Sequence, residues 1–408
     1  MKLVHLSDLH IGKIIERTRM LEDQEYILKQ LVCAVKDELP DAVLISGDVY
    51  DRGVPPSEAV VMLDRFIVEL SEIKLSDGRP MQTFIVSGNH DSPERLAFGN
   101  LLMTKNGIHI SPVYNGTVEP FVLHDEFGEV CVYMLPFIKP VHVRDALTDM
   151  GAEQSEIDSV ETYTDAVAKA VELMNVDETK RNVILSHQFV SGGAVNGSET
   201  VSVGGLDVVD ISVYDKFNYV ALGHLHTAQR LTTAKGDRNV VCYCGSPLKY
   251  SFSEKTEKSV AVVEIDGQGV CTLRQRPLVP LRDMRTIEAS FSEISEKGES
   301  SSDYIRVILT DDELPAHTFY ELRRLFPNLL QAMPKHVKRL EDSELLGSDI
   351  TAEQSALDVF SQFFTIMHDR ELDERERALI SKLLERAEEN LLLGEKNEKT
   401  EVNGNAAD

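Results

Sequence analysis

Eight residues carry side chains suited to divalent-ion chemistry: Asp8, His10, Asp48, Asn89, His90, His187, His224 and His226. Carboxylate, imidazole and amide oxygen together suit manganese, iron or zinc better than a calcium cage. Asp8-Leu9-His10 and His224-Leu225-His226 each place two such residues two positions apart. In an extended segment that spacing puts both side chains on one face, so they can converge on one cavity. Gly47, Gly88 and Gly223 precede Asp48, Asn89 and His224, and are expected to let the backbone turn sharply there. Taken singly, each signal has a plainer reading. A lone buried histidine is more often structural, Ser46-Gly47-Asp48 is a plausible cap or turn, and Asn89-His90-Asp91 before Ser92-Pro93 is ordinary turn chemistry. Five such coincidences in one chain are improbable as independent turns. The set suffices for two metal sites with positions left open for water and substrate.

Each of these groups follows a short apolar run. Leu3–Leu6, Ala42–Ile45, Thr83–Val86, Val183–Leu185 and Tyr219–Leu222 read as strands that deliver them at their C-terminal ends. Between several lie helical stripes, such as Leu21, Ile27, Leu28, Leu31, Val32 and Val35, or Val60, Leu63, Ile67 and Leu70. Strand alternating with helix predicts an α/β fold, and fully apolar strands predict sheets covered on their faces. Residues at the C-terminal strand ends occupy the usual crevice of such folds. From Val240 to Leu278 strands follow one another without helices, and a first domain is expected to end near Pro277–Arg282, giving 1–282. Residues 283–347 read as a small α/β unit with strands at Tyr304–Leu309 and Leu329–Met333 and a helix at His317–Leu325. Residues 348–394 read as two helices, opened by the capping pairs Thr351/Gln354 and Asp373/Glu376. The polar tail 395–408 reads as disordered.

The 408 residues carry 42 basic against 68 acidic side chains, a net charge of −26. That argues against gripping nucleic acid by bulk positive charge, though ions or a partner can supply local charge. Apolar runs fall well short of the ~20 residues of a membrane span, and the start has no signal-peptide pattern. A cytoplasmic chain with no membrane association is expected. The five cysteines, Cys33, Cys131, Cys242, Cys244 and Cys271, sit in apolar segments and read as reduced core thiols.

The order Asp8-Leu9-His10, Gly47-Asp48-Val49-Tyr50-Asp51, Gly88-Asn89-His90-Asp91, Ser186-His187, Gly223-His224-Leu225-His226 resembles the calcineurin-like metallophosphoesterase superfamily over about residues 1–280. Within it, Ile11-Gly12, Arg52-Gly53, Pro55-Pro56, Gly245-Ser246-Pro247 and Pro280-Leu281-Arg282 resemble bacterial nuclease subunits that work with a separate SMC-like ATPase. The resemblance implies a four-layer α/β/β/α sandwich with an accessory unit and C-terminal partner-binding helices. It implies two ions bridged by Asp48, with Asp8, His10 and His226 completing one site and Asn89, His187 and His224 the other. Manganese is the expected ion and magnesium the alternative. His90 would be catalytic rather than a ligand. Two such ions can clamp a phosphodiester and lower the pKa of a water, while a protonated His90 serves the leaving oxygen. Asp51 stands outside this ligand set, and Asp91 either orients His90 or caps a helix near Pro93. The implied function is DNA exonuclease and single-strand or hairpin endonuclease activity in repair, recombination and replication. The implied assembly is a homodimer within a heterotetramer.

Two other classes compete. A phosphatase or cyclic-nucleotide esterase would use the same centre but has no need of about 125 further residues, and a non-catalytic scaffold would not need an intact donor set with His90. Weaker signals remain. Gly192–Ser198 has phosphate-loop spacing but no lysine before Ser198, so it reads as a surface loop. Arg323, Arg324, Lys335, Lys338 and Arg339 form an acid-free stretch that reads as either a DNA-facing patch or a solvated face. Phe360, Phe363, Phe364 and Met367 form an aromatic stripe expected to dock in a partner groove.

Overall fold

The structure, a computed structural model, describes residues 1–195, 207–311, 314–315 and 317–335, and scattered positions between 357 and 383. It divides into two compact units, the first being Met1–Met284 and the second starting at Arg285. In chain order the main elements of the first are β1 (Lys2–Leu6), α1 (Leu21–Glu38), β2 (Ala42–Ser46), α2 (Ser57–Ser71), β3 (Gln82–Val86), β4 (Ile108–Ser111), β5 (Phe121–Asp125), β6 (Gly128–Leu135), α3 (Pro140–Asp149), α4 (Tyr163–Leu173), β7 (Arg181–His187), β8 (Tyr219–Gly223), β9 (Gln229–Leu231), β10 (Val240–Tyr243), β11 (Ser259–Ile265) and β12 (Cys271–Pro277).

They form two six-stranded sheets, ordered β12-β11-β1-β2-β3-β4 and β9-β10-β8-β7-β6-β5. In each, four parallel strands carry antiparallel strands at one or both edges. Strand alternation assigns the layers. Leu3 of β1 points to the space between the sheets with Leu44, Phe84, Val132, Leu185, Ala221 and Val263. Val4 points the other way, onto Leu31 and Val35 of α1 and Leu63 and Phe66 of α2. On the second sheet Ile184 and Val220 face Val143 and Leu147 of α3 and Val167 and Val171 of α4. The result is a four-layer α/β/β/α sandwich whose parallel strands are covered on both faces, as their near-continuous apolar runs require. The helices form where apolar residues recur every three to four positions. The last of them, α4, opens on a capping box in which Thr162 Oγ1 accepts from Asp165 N at 3.1 Å and Asp165 accepts from Thr162 N at 2.8 Å. The helix-free run after Val240 returns to the first sheet, where β11 pairs antiparallel with β1. Among the described residues no helix is long and apolar enough to cross a membrane.

The two sheets meet main chain to main chain where the site lies. A β-carbon on Gly223 would stand 1.8 Å from the Ser46 carbonyl oxygen. Ser46 Oγ donates to the Ala221 carbonyl at 2.9 Å, and His187 Nδ1 donates to the Ser46 carbonyl at 2.8 Å. The glycines before Asn89 and His224 therefore provide room rather than a turn. Gly47 has φ +86°, whereas a β-carbon on Gly88 would lie 2.1 Å from the Asp48 carboxylate.

The second unit holds a three-stranded sheet, β13 (Met284–Ala289), β14 (Tyr304–Leu309) and β15 (Leu329–Pro334), with α5 (Phe291–Lys297) and α6 (Thr318–Leu325). Its core is Ile294, Ile305, Val307, Leu309, Leu322 and Phe326. The first strand and α5 lie outside the sequence expectation, although Ser290 and Glu293 form a capping box there. Arg324 pairs with Glu321 at 2.9 Å and Lys335 with Glu288 at 2.6 Å, so both cations are already partnered. Lys338 and Arg339 lie outside the described residues, as do Phe363, Met367, Thr351, Gln354 and the loop 196–206. Phe360 and Phe364 are half-buried, and Asp373 N donates to Glu376 at 2.9 Å while Glu376 N donates to Asp373 at 2.8 Å. All five cysteines are free. Four are buried, but Cys33 is exposed on α1, because it falls off the helix stripe that faces the sheet.

Gly223→Ala must push one sheet off the other and should cost about 3 kcal/mol, at the upper end of ordinary overpacking. Gly53, whose β-carbon would have no neighbour nearer than 3.7 Å, is the control. Urea unfolding of the two variants checks this, and equal midpoints would contradict the close approach.

Candidate metal centre

The C-terminal ends of β1, β2, β3, β7 and β8 open at the same end of the sandwich and bring Asp8, His10, Asp48, Asn89, His187, His224 and His226 into one cleft. His10 Nε2 and His226 Nε2 face each other at 3.1 Å. Asn89 Oδ1 lies 3.0 Å from His187 Nε2 and 3.1 Å from His224 Nδ1. Between these halves sits Asp48. Its Oδ2 lies 3.6 Å from His10 Nε2 and 3.4 Å from His187 Nε2, so one oxygen reaches a histidine of each half. Asp8, His10 and His226 bring their donor atoms within 4.8 Å of one another, and so do Asp8, Asp48 and His187.

The backbone is strained to achieve this. Asp8, His10, Asp48 and His224 have φ of +52°, +43°, +48° and +102°, a region that costs side-chain-bearing residues about 1 kcal/mol or more each. Cross-strand hydrogen bonds hold the loops: Asp8 N to Gly47 O at 3.1 Å, His10 N to Asp48 O at 2.9 Å and Ile11 N to Val49 O at 2.9 Å. Asp91 adds a three-point clamp, accepting from Val49 N at 3.1 Å, Tyr50 N at 2.8 Å and Gly88 N at 2.9 Å. It thus ties the β2 loop to the β3 loop, and neither orients His90 nor caps the helix at Pro93, whose N-cap is Ser92. Burial and the Asp48 charge push Asp91 up to about 6, against the three N–H donors.

His90 stands beside the cleft, its ring centroid 4.9 Å from that of His10. His90 N donates to Asp48 Oδ1 at 2.9 Å, and its Nδ1 lies 3.0 Å from the Asp51 carbonyl. A carbonyl only accepts, so Nδ1 carries a proton and Nε2 is the atom left to act. The Asp51 carboxylate pairs with Lys13 at 2.8 Å and lies 3.7 Å from His10 Nδ1. His10, Asp51 and His90 form a third group with donor atoms within 4.8 Å.

The electrostatics favour a cation. Asp8 and Asp48 are buried carboxylates in one cleft. Burial pushes Asp8 up. The same burial is outweighed at Asp48 by His187, which holds it well below the usual range. Burial opposes charge on His187 too, but the two carboxylates raise it to about 9. His10 and His224 are driven down by burial, His224 to about 3, and so stay neutral with lone pairs available. His224 Nε2 is buried without a hydrogen-bond partner. His10, kept neutral by burial, faces the His226 ring at 3.1 Å beside the buried carboxylates, a mixed oxygen and nitrogen donor set that fits divalent ions.

Sequence reasoning missed four supporting residues. Gln24 of α1 accepts from Gly12 N at 2.9 Å and donates to His10 O at 2.7 Å. Tyr250 donates to Leu9 O at 2.6 Å and turns its ring edge-on to His10. Glu254 and Lys258 are buried beside His226. Only Gln24 left a trace, as an amide on the apolar face of a helix.

Residues 1–228 match the calcineurin-like phosphoesterase family, and residues 280–368 match the type 5 capsule protein repressor C-terminal domain. The SbcD component of the nuclease SbcCD from Staphylococcus epidermidis is 30% identical over 392 residues, covering 94% of this chain and 98% of that protein. Its counterpart from Staphylococcus saprophyticus is 32% identical over 337 residues, covering 81% and 84%. A dimetal phosphatase from Danio rerio is 13% identical with a TM-score of 0.43, covering 68% of this chain and 96% of that one. With a strand-end donor cleft in a two-sheet sandwich and relatives matched over nearly their whole length, the chain belongs to the calcineurin-like phosphoesterase family, alongside the SbcD nucleases.

Proposed function

We propose that this chain is a metal-dependent DNA phosphodiesterase, the nuclease component of a complex with an SbcC-type SMC-like ATPase. The observation that carries the reading is the Asp48 oxygen placed between His10 at 3.6 Å and His187 at 3.4 Å. Asp48 would serve both ions, with Asp8, His10 and His226 completing one site and Asn89, His187 and His224 the other. Bound divalent ions, manganese first and magnesium second, supply Lewis acidity toward a phosphodiester and lower the pKa of water. Nδ1 of His90 stays on the Asp51 carbonyl, and Nε2 delivers a proton to the leaving sugar oxygen. Lys13 neutralises the Asp51 carboxylate, which leaves Asp51 a positioning group for His90. The substrates are DNA ends, single strands and hairpins, cut by exonuclease and endonuclease action in repair, recombination and replication.

The domains follow this division of labour. Residues 1–282 carry the nuclease, 283–347 contact DNA, 348–394 dock on the ATPase and 395–408 form a tail. Two copies act within a heterotetramer. The setting is the cytoplasm, which agrees with five free cysteines.

Chelation should abolish cleavage of a labelled hairpin, and manganese should restore it better than magnesium, because imidazole and amide donors suit manganese. Asp48→Asn should be the most damaging ligand change. Full cleavage in chelator would defeat the mechanism.

His90→Ala should lower the cleavage rate by about 10²–10⁴-fold while leaving bound metal unchanged, as measured by elemental analysis of the purified variant. Loss of one ion per chain would make His90 a ligand, in the group it forms with His10 and Asp51.

Phe360→Asp combined with Phe364→Asp should abolish co-purification with the ATPase, since buried aromatic anchors each contribute about 2 kcal/mol or more to such interfaces. Hydrolysis of a small phosphodiester by the isolated chain should persist. Retained co-purification would place the docking surface elsewhere.

A further inference from the structure

His226 is gripped from behind by a buried ion pair. Its Nε2 faces the cleft, 3.1 Å from His10 Nε2. Its Nδ1, on the far side of the ring, lies 3.6 Å from Glu254 Oε1. The other Glu254 oxygen accepts from Lys258 Nζ. Lys258 Nζ also donates to the His226 carbonyl at 2.7 Å and to Ser246 Oγ at 3.0 Å, so all three ammonium protons are used. Ser246 N donates to the same His226 carbonyl at 3.1 Å, and Ser246 Oγ donates to Leu248 O at 2.7 Å. Glu254 Oε1 is itself set by Tyr250 N at 3.1 Å, and the Tyr250 ring stands edge-on to His226 at 5.9 Å. The Gly245-Ser246-Pro247 turn is thereby built into the support of one ring.

Stability alone does not account for this pair. Glu254 is 2% and Lys258 6% exposed, and an ion pair taken fully out of water is on average no more stabilising than apolar residues of the same volume. The geometry does account for it. A carboxylate behind a histidine keeps the proton on the rear nitrogen, directs the front lone pair forward and makes that nitrogen a better ligand.

We propose that Glu254 and Lys258 are a positioning pair for His226: the carboxylate fixes the ring with Nε2 toward the ion, the ammonium fixes the backbone carbonyl, and together they set the affinity of the Asp8–His10–His226 site alone. The inference rests on the metal reading given above.

Equilibrium titration of the metal-free full chain with Mn²⁺, followed by electron paramagnetic resonance, tests it without reference to activity. The wild type should take up two ions, and His226→Ala identifies the one that depends on this ring. Glu254→Gln should weaken that ion by about 10–100-fold, the usual effect of losing such an outer partner, and leave the other ion unchanged. Because the single change strands the Lys258 charge, it also lowers thermal stability. The double variant Glu254→Gln with Lys258→Met removes both charges and separates the roles. Recovered thermal stability with affinity still weakened supports positioning. Affinity that recovers along with stability, or that never falls in either variant, overturns it. If the wild type itself fails to take up two ions, the metal reading fails and this inference falls with it, an outcome visible before any variant is made.

Discussion

Everything at the catalytic end hangs on one contact, the approach of two backbones at the Ser46 carbonyl. That oxygen leaves no space for a β-carbon at position 223 and accepts the Nδ1 proton of His187. Two sheets packed through side chains normally lie about 10 Å apart. Here the ends of β2 and β8 are drawn together until main chain from one sheet meets main chain of the other. Only then can a carboxylate from the first sheet stand within reach of a histidine from the second. The residue types around this point follow from it. A glycine fills the position with no room, a serine hydroxyl bridges to Ala221, and a histidine spends one ring nitrogen on the joint and keeps the other for the cleft.

The joint creates an electrostatic demand that the rest of the cleft meets. Asp8 and Asp48 lie at 0% and 2% exposure, where an unpaired charge would cost several kcal/mol. Their compensation comes from main-chain donors and from imidazoles. His224 N donates to both oxygens of Asp8, at 3.1 and 3.2 Å, and His90 N donates to Asp48. Asp8, His10, Asp48 and His224 hold strained backbone angles, so the strain must be absorbed by what surrounds them. Asp91 answers for the β2 and β3 loops, and Gln24 with Tyr250 for the loop after β1. Rigidity of this kind suits a site whose donors must hold their geometry before an ion or a phosphodiester arrives.

The support differs from side to side. His187 is held by a main-chain carbonyl of the opposite sheet, which follows directly from the sandwich. His226 is held by side chains from the segment between β10 and β11, which has no regular structure of its own. One half of the centre is thus tied to the fold and the other to a loop.

The sequence by itself determined which polar side chains stand at the strand ends, the strands that deliver them and the covered α/β character. Those signals are local: a two-residue spacing, an apolar run, a stripe every three to four residues, and a family resemblance in their order. Tertiary structure decided the rest, because the relevant distances join residues far apart in the chain. Gly88 and Gly223 have the look of turn glycines, and only the packed sheets reveal that they make room for Asp48 and Ser46. Asp91 has the look of a partner of His90 or a helix cap, yet three main-chain donors from two loops converge on it. Glu254 and Lys258 read as two more charges in a chain rich in both, with nothing in their spacing to say they are buried. Cys33, expected in the core on composition, is turned outward by the helix phase. Local pattern records which face a residue takes within its own element. It carries no record of which distant backbone that face will meet.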